Sequence, residues 1–281
     1  DLLQARHSLL RNYPVSAHLR WLFEGIRPEI RQYFGESDIG GTPFDREHRS
    51  LIYARAKNTH EESPYGTDLD LYAEGHEWFN HSLSPLPAAT DPFRVVVGGP
   101  ACKRPYEMSL LNVSAMSFGA LSANAIRALN MGAKMGGFIH DTGEGGLSDY
   151  HLENGGDIVW EIGTAYFGCR TKDGKFDPEM FRAKVNVDNV KCVSIKLSQG
   201  AKPGLGGVMP GAKVTPEIAR IRGVPVGEKC VSPSHHTTFS TPRGLIKWLD
   251  ELRTLSGGRP TGFKLCIGRK SEFLALCKAM I

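Results

Sequence analysis

Residues 190–204, "VKCVSIKLSQGAKPG", begin as an apolar, β-branched run and end in glycine, proline and charge. The run has the composition of a strand, and the glycines end it. Lys196, Gln199 and Lys202 crowd into the changeover. Strand alternation sends Lys196 and Ser198 to one face and Leu197 to the other. An apolar run surrounds Lys196, so an exposed-loop reading fits it poorly. Lys202 lies past the strand, where an exposed loop and a hold on an acidic ligand are both open.

The same texture recurs on either side. From about residue 109, short apolar runs alternate with helical patterns: "SLLNVSAMS", "SANAIRALNMGAKMG", "GFIHDT", "GDIVWEIGTAYFG", "TPEIARIRG", "TPRGLIKWLDELRTLSG", "TGFKLCIG" and "SEFLALCKAMI". Alternation of this kind argues for parallel βαβ units. Helix starts are marked by Ser122 before "ANAIRALN" and by Thr241–Pro242. Polar and glycine-rich residues gather after the strands, in "AMSFG", "HDTGEGG" and "KLSQGAKPG", where parallel α/β folds bind ligands. A doubly wound dinucleotide fold lacks its fingerprint, because "GLGGVMPG" has the wrong glycine spacing and its prolines oppose a helix start.

The fold expected is therefore a (β/α)₈ TIM barrel. Residues 109–281 fall short of the ~250 such a barrel takes, and "SEFLALCKAMI" stops inside a helical pattern. The expectation is a barrel represented by about its first five βα units. Residues 1–108 read as a helical and irregular leader packed on it. Within the leader, "HLRWLFEGIRPEIRQYF" sets Leu19, Leu22, Phe23, Ile26, Ile30 and Phe34 near one helical stripe, interrupted by Pro28.

Composition narrows the function classes. The 281 residues are 41% hydrophobic with net charge +4, a globular balance with no footprint for nucleic acid. Cys102, Cys169, Cys192, Cys230, Cys266 and Cys277 form no C-x-x-C pair. They read as reduced thiols in a cytoplasmic protein, with no metal site of their own. No apolar run approaches the ~20 residues of a membrane span. His235 and His236 are adjacent and lack the spacing of a metal pair, so a loop or capping role is expected.

Three stretches carry candidate chemistry. "NVSAMSFGALS", 112–122, reads first as a tight strand-to-helix turn. Its small residues would also let a flat ring such as an isoalloxazine lie against backbone amides. "HDTGEGG", 140–146, carries His140, Asp141, Thr142 and Glu144 among glycines. It is either a side-chain-stabilised loop or a site for an amine or polar substrate group. In "GFKLCIG", Lys264 is again a charge inside an apolar strand, inward if Phe263 and Leu265 face the helices. Two inward lysines suggest an anionic ligand, a reduced flavin or a carboxylate.

The strings "NVSAMSFGALSANAIRALNMGAKMGG", "HDTGEGG", "KLSQGAKPGLGGVMPGAKVTPEIARIRGVP" and "SPSHHTTFSTPRGLIKWLDELR" together resemble the FMN-binding synthase domain of glutamate synthase. The resemblance covers roughly 105–281. The leader looks like that of stand-alone family members without a glutaminase domain. What the resemblance implies is an FMN enzyme acting on CH–NH2 donors. Reduced FMN passes hydride to 2-iminoglutarate, formed from 2-oxoglutarate and ammonia, giving L-glutamate.

Carried over by motif, Ser114, Ala115, Met116 and Ser117 would lie along the flavin, with Thr142 near it. Glu144 and Lys196 would be the catalytic pair, with Glu144 near ammonia entry. Lys196, Gln199 and Lys264 would contact the cofactor, and Gln199 and Lys202 the substrate. The family's phosphate-binding segment and iron–sulfur cysteines would lie beyond residue 281. Partners implied are an electron donor or an amidotransferase subunit, and a membrane attachment would come from a segment before residue 1. Two alternatives stay open: an enzyme of the same fold using another amine or 2-oxo acid, as in an N-methylglutamate synthase-type reaction, and a non-catalytic flavin-binding subunit.

Overall fold

The computed structural model describes residues 1–3, 7–27, 29–30, 37, 39–59, 66–67, 69–91, 93–201 and 206–281. Pro28, Phe34 and Lys202, singled out above, lie outside the described residues. The chain divides into two compact units, Asp1–Pro87 and Ala88–Ile281.

The first unit holds α1 (Ser8–Asn12), α2 (Ala17–Gly25) and α3 (Arg46–Lys57). Asp45 caps α3 by accepting from the His48 amide at 2.8 Å. Ala17 is the one buried residue of these three helices. The stripe expected across 19–34 begins in α2, which ends at Gly25.

The second unit opens with an antiparallel ribbon, β1 (Arg94–Val97) on β2 (Tyr106–Ser109). This ribbon falls in a region expected to be helical or irregular. "RVVVGGP" carries its signal, a β-branched run ended by glycine and proline.

A four-stranded parallel sheet follows, made of β3 (His140–Asp141), β4 (Ile158–Ile162), β5 (Val190–Lys196) and β8 (Thr261–Lys264), in that order. Val113 extends it by a parallel bridge to His140. Successive strands are joined through α4 (Ala123–Gly136), α5 (Asp149–Leu152), α6 (Pro178–Val185) and α8 (Pro242–Leu255), and α9 (Lys270–Met280) follows β8. The α/β alternation with a parallel sheet read from the sequence is therefore present. Between β5 and α8 runs an excursion: β6 (Val208–Met209) pairs antiparallel with β7 (Cys230–Val231) around α7 (Pro216–Arg222).

The caps explain where the helices start. Ser122 Oγ accepts from the Ala125 amide at 3.2 Å, and Thr241 Oγ1 from the Gly244 amide at 3.1 Å, with Pro242 in the first turn. Leu245, Trp248, Leu249 and Leu252 of α8 recur at helical spacing and are all buried. They meet Trp160 and Ile162 of β4, Val193 and Ile195 of β5, and Phe181 and Val185 of α6. Burying each such side chain stabilises the fold by ~1.5–3 kcal/mol, so this layer anchors the sheet. A second cluster, including Phe118, Phe167, Met209, Ile218 and Ile221, lies beneath the excursion.

Candidate functional site

The register of the sheet builds the site. Lys196 pairs with Lys264, Ser194 with Glu161, and Val159 with Asp141. With period-two alternation, Asp141, Glu161, Lys196 and Lys264 therefore share the face opposite Trp160, Ile162 and Ile195. Leu197 and Phe263 pack on the apolar layer, which confirms that the two lysines point the other way.

That polar face borders a cavity of about 350 Å³. Ala115, Met116 and Ser117 line it, together with Glu144, Glu161, Lys196, Gln199 and Lys264. A larger hollow of about 880 Å³ lies along 234–242 and is edged by Leu197, Leu245 and Leu276. It holds His235 and His236 but none of the inward charges. Convergent charge in a concave space marks the smaller cavity as the candidate site.

Lys196 Nζ donates to Glu144 Oε1 at 2.7 Å and to Gln199 Oε1 at 2.6 Å. The lysine and glutamate side chains are 11% and 14% exposed, so this pair is shielded and strong. Lys264 Nζ pairs with Glu161 Oε2, and the Glu161 side chain is 1% exposed. Burial raises the Glu161 carboxyl above its ordinary range, against the pull of Lys264. Asp141 is pushed up to about 7, by burial first and then by the Glu161 charge.

Glycine makes room for these groups. A Cβ on Gly163 would sit 2.6 Å from Glu144 Oε2, and one on Gly207 2.8 Å from Glu144 Oε1. Gly143 has φ +68°, and a Cβ there would meet the Ser117 amide nitrogen at 2.6 Å. The 116–117 and 143 backbones therefore touch and form a floor edged by Ala115, Met116 and Ser117.

Of the residues proposed from sequence, Ala115, Met116, Ser117, Glu144, Lys196, Gln199 and Lys264 come together at the cavity. Ser114 and Thr142 do not line it. Ser114 is exposed. Thr142 is fully buried: its hydroxyl donates to the Gly143 carbonyl and accepts from the Glu161 amide, both at 3.0 Å. Thr142 therefore braces Glu161. His140 faces the apolar side, with no hydrogen-bond partner at either ring nitrogen, and burial lowers it to about 4. His236 Nε2–H donates to the Lys196 carbonyl at 2.9 Å, and its Nδ1 lies 3.3 Å from the Tyr166 hydroxyl. That brace fixes the end of β5.

Two charged cavity residues were missed from sequence. Glu161 is a charge inside the apolar "DIVWEIG", the same signal that exposed both lysines. Arg222 ends α7, where "PEIARIRG" reads as an ordinary amphipathic helix. It is 6% exposed, its Nη2 donates to the Phe118 carbonyl at 3.0 Å, and its guanidinium carbon lies 4.9 Å from the Phe167 ring centroid. With Lys196 and Lys264 it gives the cavity three cations against Glu144 and Glu161, which suits an anionic ligand.

Residues 96–280 match the family model described as the conserved region in glutamate synthase. The chain is 33% identical over 321 aligned residues to a glutamate synthase large subunit-like protein, YerD, of Bacillus subtilis, covering 100% of this chain and 61% of that protein. It is 35% identical over 158 residues to an archaeal-type glutamate synthase [NADPH] of Thermotoga sp., covering 54% of this chain and 28% of the other. The corresponding Archaeoglobus fulgidus enzyme is 40% identical over 128 residues, 45% of this chain and 22% of the other. The chain thus spans less than two thirds of the length of each of these relatives. The match runs through both strand lysines, Glu144 and the 115–117 floor, and the chain belongs to the glutamate synthase family.

Proposed function

We propose that this chain contributes the first units of a (β/α)₈ barrel that binds FMN and reduces 2-iminoglutarate, from 2-oxoglutarate and ammonia, to L-glutamate. The observation that carries this reading is the shielded Lys196–Glu144–Gln199 triad facing the 115–117 floor, with Lys264 at the same level of the next strand.

The residues present fit a flavin ring. Ala115, Ser117 and Gly143 bring backbone close to the cavity beside the Met116 side chain, since any Cβ on Gly143 would strike the Ser117 backbone. Glu161 Oε1 is buried with no hydrogen-bond partner, as expected where a polar ligand completes a site. Bound there, FMN would supply the hydride for reduction of the substrate carbon.

The chain's own groups would do the rest. Lys196 and Lys264 would meet negative charge on the ligands, worth most in a cavity that excludes water. Glu144 would hold Lys196 in place and offer a carboxylate to an entering ammonium or amine. Gln199, already held by Lys196, keeps its amide N–H groups for a carboxylate or carbonyl. Arg222 would hold a substrate carboxylate from the excursion side.

Full-length protein should purify yellow and release FMN on denaturation. It should turn over 2-oxoglutarate and ammonia with a reductant. A colourless full-length preparation that takes up no added FMN would sink the proposal.

A further inference from the structure

Glu161 is the most deeply buried charged side chain at the cavity, 1% exposed. Its carboxylate meets Lys264 Nζ at Oε2, while Oε1 has no hydrogen-bond partner. Thr142 Oγ1 holds its backbone amide at 3.0 Å, which fixes the strand beneath it. On the same face of the neighbouring strand stands Asp141, whose Oδ1 accepts from the Gly143 amide at 2.9 Å. Glu144, after β3, and Lys196 and Lys264, from β5 and β8, act on this pair electrostatically, and Arg222 from α7 lines the same cavity.

We propose that Asp141 and Glu161 together hold one proton at neutral pH, and that Glu161 delivers it into the cavity through Oε1 to the nitrogen of a substrate being reduced at the adjacent carbon. Two carboxylates on one face, Glu161 buried and Asp141 half-buried, cannot both ionise cheaply, so they should titrate as a pair. The upward displacement of both groups agrees with this. The step balances: the Glu161 O–H bond breaks and an N–H bond forms on the substrate. The carbon takes its electron pair from the hydride donor, and Glu161 is reloaded from Asp141, which takes a proton from solvent. Lys264 keeps the ionised Glu161 tolerable after the transfer.

The destination of the proton rests on the proposed function; its storage does not. The test is an infrared titration of the carboxylic C=O stretch in full-length protein, with and without FMN. A protonated carboxyl should titrate near pH 7. Asp141→Asn should move it down, because Glu161 then faces Lys264 and Lys196 against Glu144 alone. Glu161→Gln should move the remaining Asp141 signal down as well. No protonated carboxyl at pH 6, or one indifferent to both substitutions, overturns the proposal. In turnover, Asp141→Asn should shift the alkaline limb of kcat to lower pH at unchanged FMN content, while Glu161→Gln should lower kcat more than it changes KM. An unshifted limb would remove the delivery role. A protein that holds the proton but no flavin would instead defeat the functional reading.

Discussion

The two faces of one sheet make opposite demands on adjacent residues. β3 sends His140 outward and Asp141 inward, β4 Trp160 and Glu161, β5 Ile195 and Lys196, β8 Phe263 and Lys264. Trp160, Ile195 and Phe263 meet apolar neighbours, and Trp160 stacks at 5.4 Å on Phe181 of α6. Among the inner residues, Lys196 meets Glu144 and Lys264 meets Glu161, each an opposite charge. Stability is concentrated outside and chemistry inside, although the residues concerned are neighbours in the chain.

Substitutions can break this division. Trp160→Ala on the outer face should cost about 3–5 kcal/mol of stability, read from urea unfolding of the full-length protein. A loss under about 1 kcal/mol would mean that the outer layer is not the anchor. Lys196→Met on the inner face should cut kcat/KM by about a hundredfold, and it should also lower the unfolding midpoint, because it leaves the shielded Glu144 carboxylate without its cation. Unchanged turnover would take Lys196 out of the site. Gly163→Ala should displace the Glu144 carboxylate from Lys196 and cost about tenfold in kcat/KM, checked by steady-state kinetics at saturating ammonia.

Titration should separate the faces further. Burial lowers His140 to about 4 and His151, also pressed by His140, to about 3; the two rings lie 5.4 Å apart. Their stabilisation is complete above the ordinary histidine value and is lost as pH falls through about 4 and 3, because the unfolded chain binds those protons first. Asp141 runs the other way. Its folded value is raised to about 7, so its contribution is full below the ordinary aspartate range and lost as pH rises through 7. Asp141→Asn should therefore raise the unfolding midpoint at pH 8 and leave it nearly unchanged at pH 4. His140→Leu should flatten the decline between pH 6 and 4. Equal effects of either substitution at both ends of its range would contradict the assignment of faces. The smallest effect is local: Ser122→Ala should remove the cap of α4 and cost about 1 kcal/mol, by urea unfolding.

Much of this was legible because the relevant signals are local. Lys196 and Lys264 stand out as charges inside apolar strands, and Ser122 and Thr241 as caps. Glu161 carried the same signal and was passed over, since "DIVWEIG" is followed by no glycine-rich loop with further charges. Arg222 could not be recognised. Its burial depends on Phe118 and Phe167, distant in sequence, which accept its guanidinium from the other side of the cavity wall. Thr142, expected near the cofactor, braces β4 through the Glu161 amide, a contact set by strand pairing.

By itself, the sequence determined the alternation of strands and helices, the inward direction of the two lysines and the starts of the main helices, because these follow from backbone period and from hydrogen bonds spanning three residues. The tertiary structure alone decided that Lys196 meets Glu144, that Lys264 meets Glu161, and that glycine at 163 and 207 clears the space for Glu144. Those pairings depend on sheet order and register between segments far apart in the chain. A charge inside a strand announces only that a partner must exist. Which partner it finds is settled when the strands align.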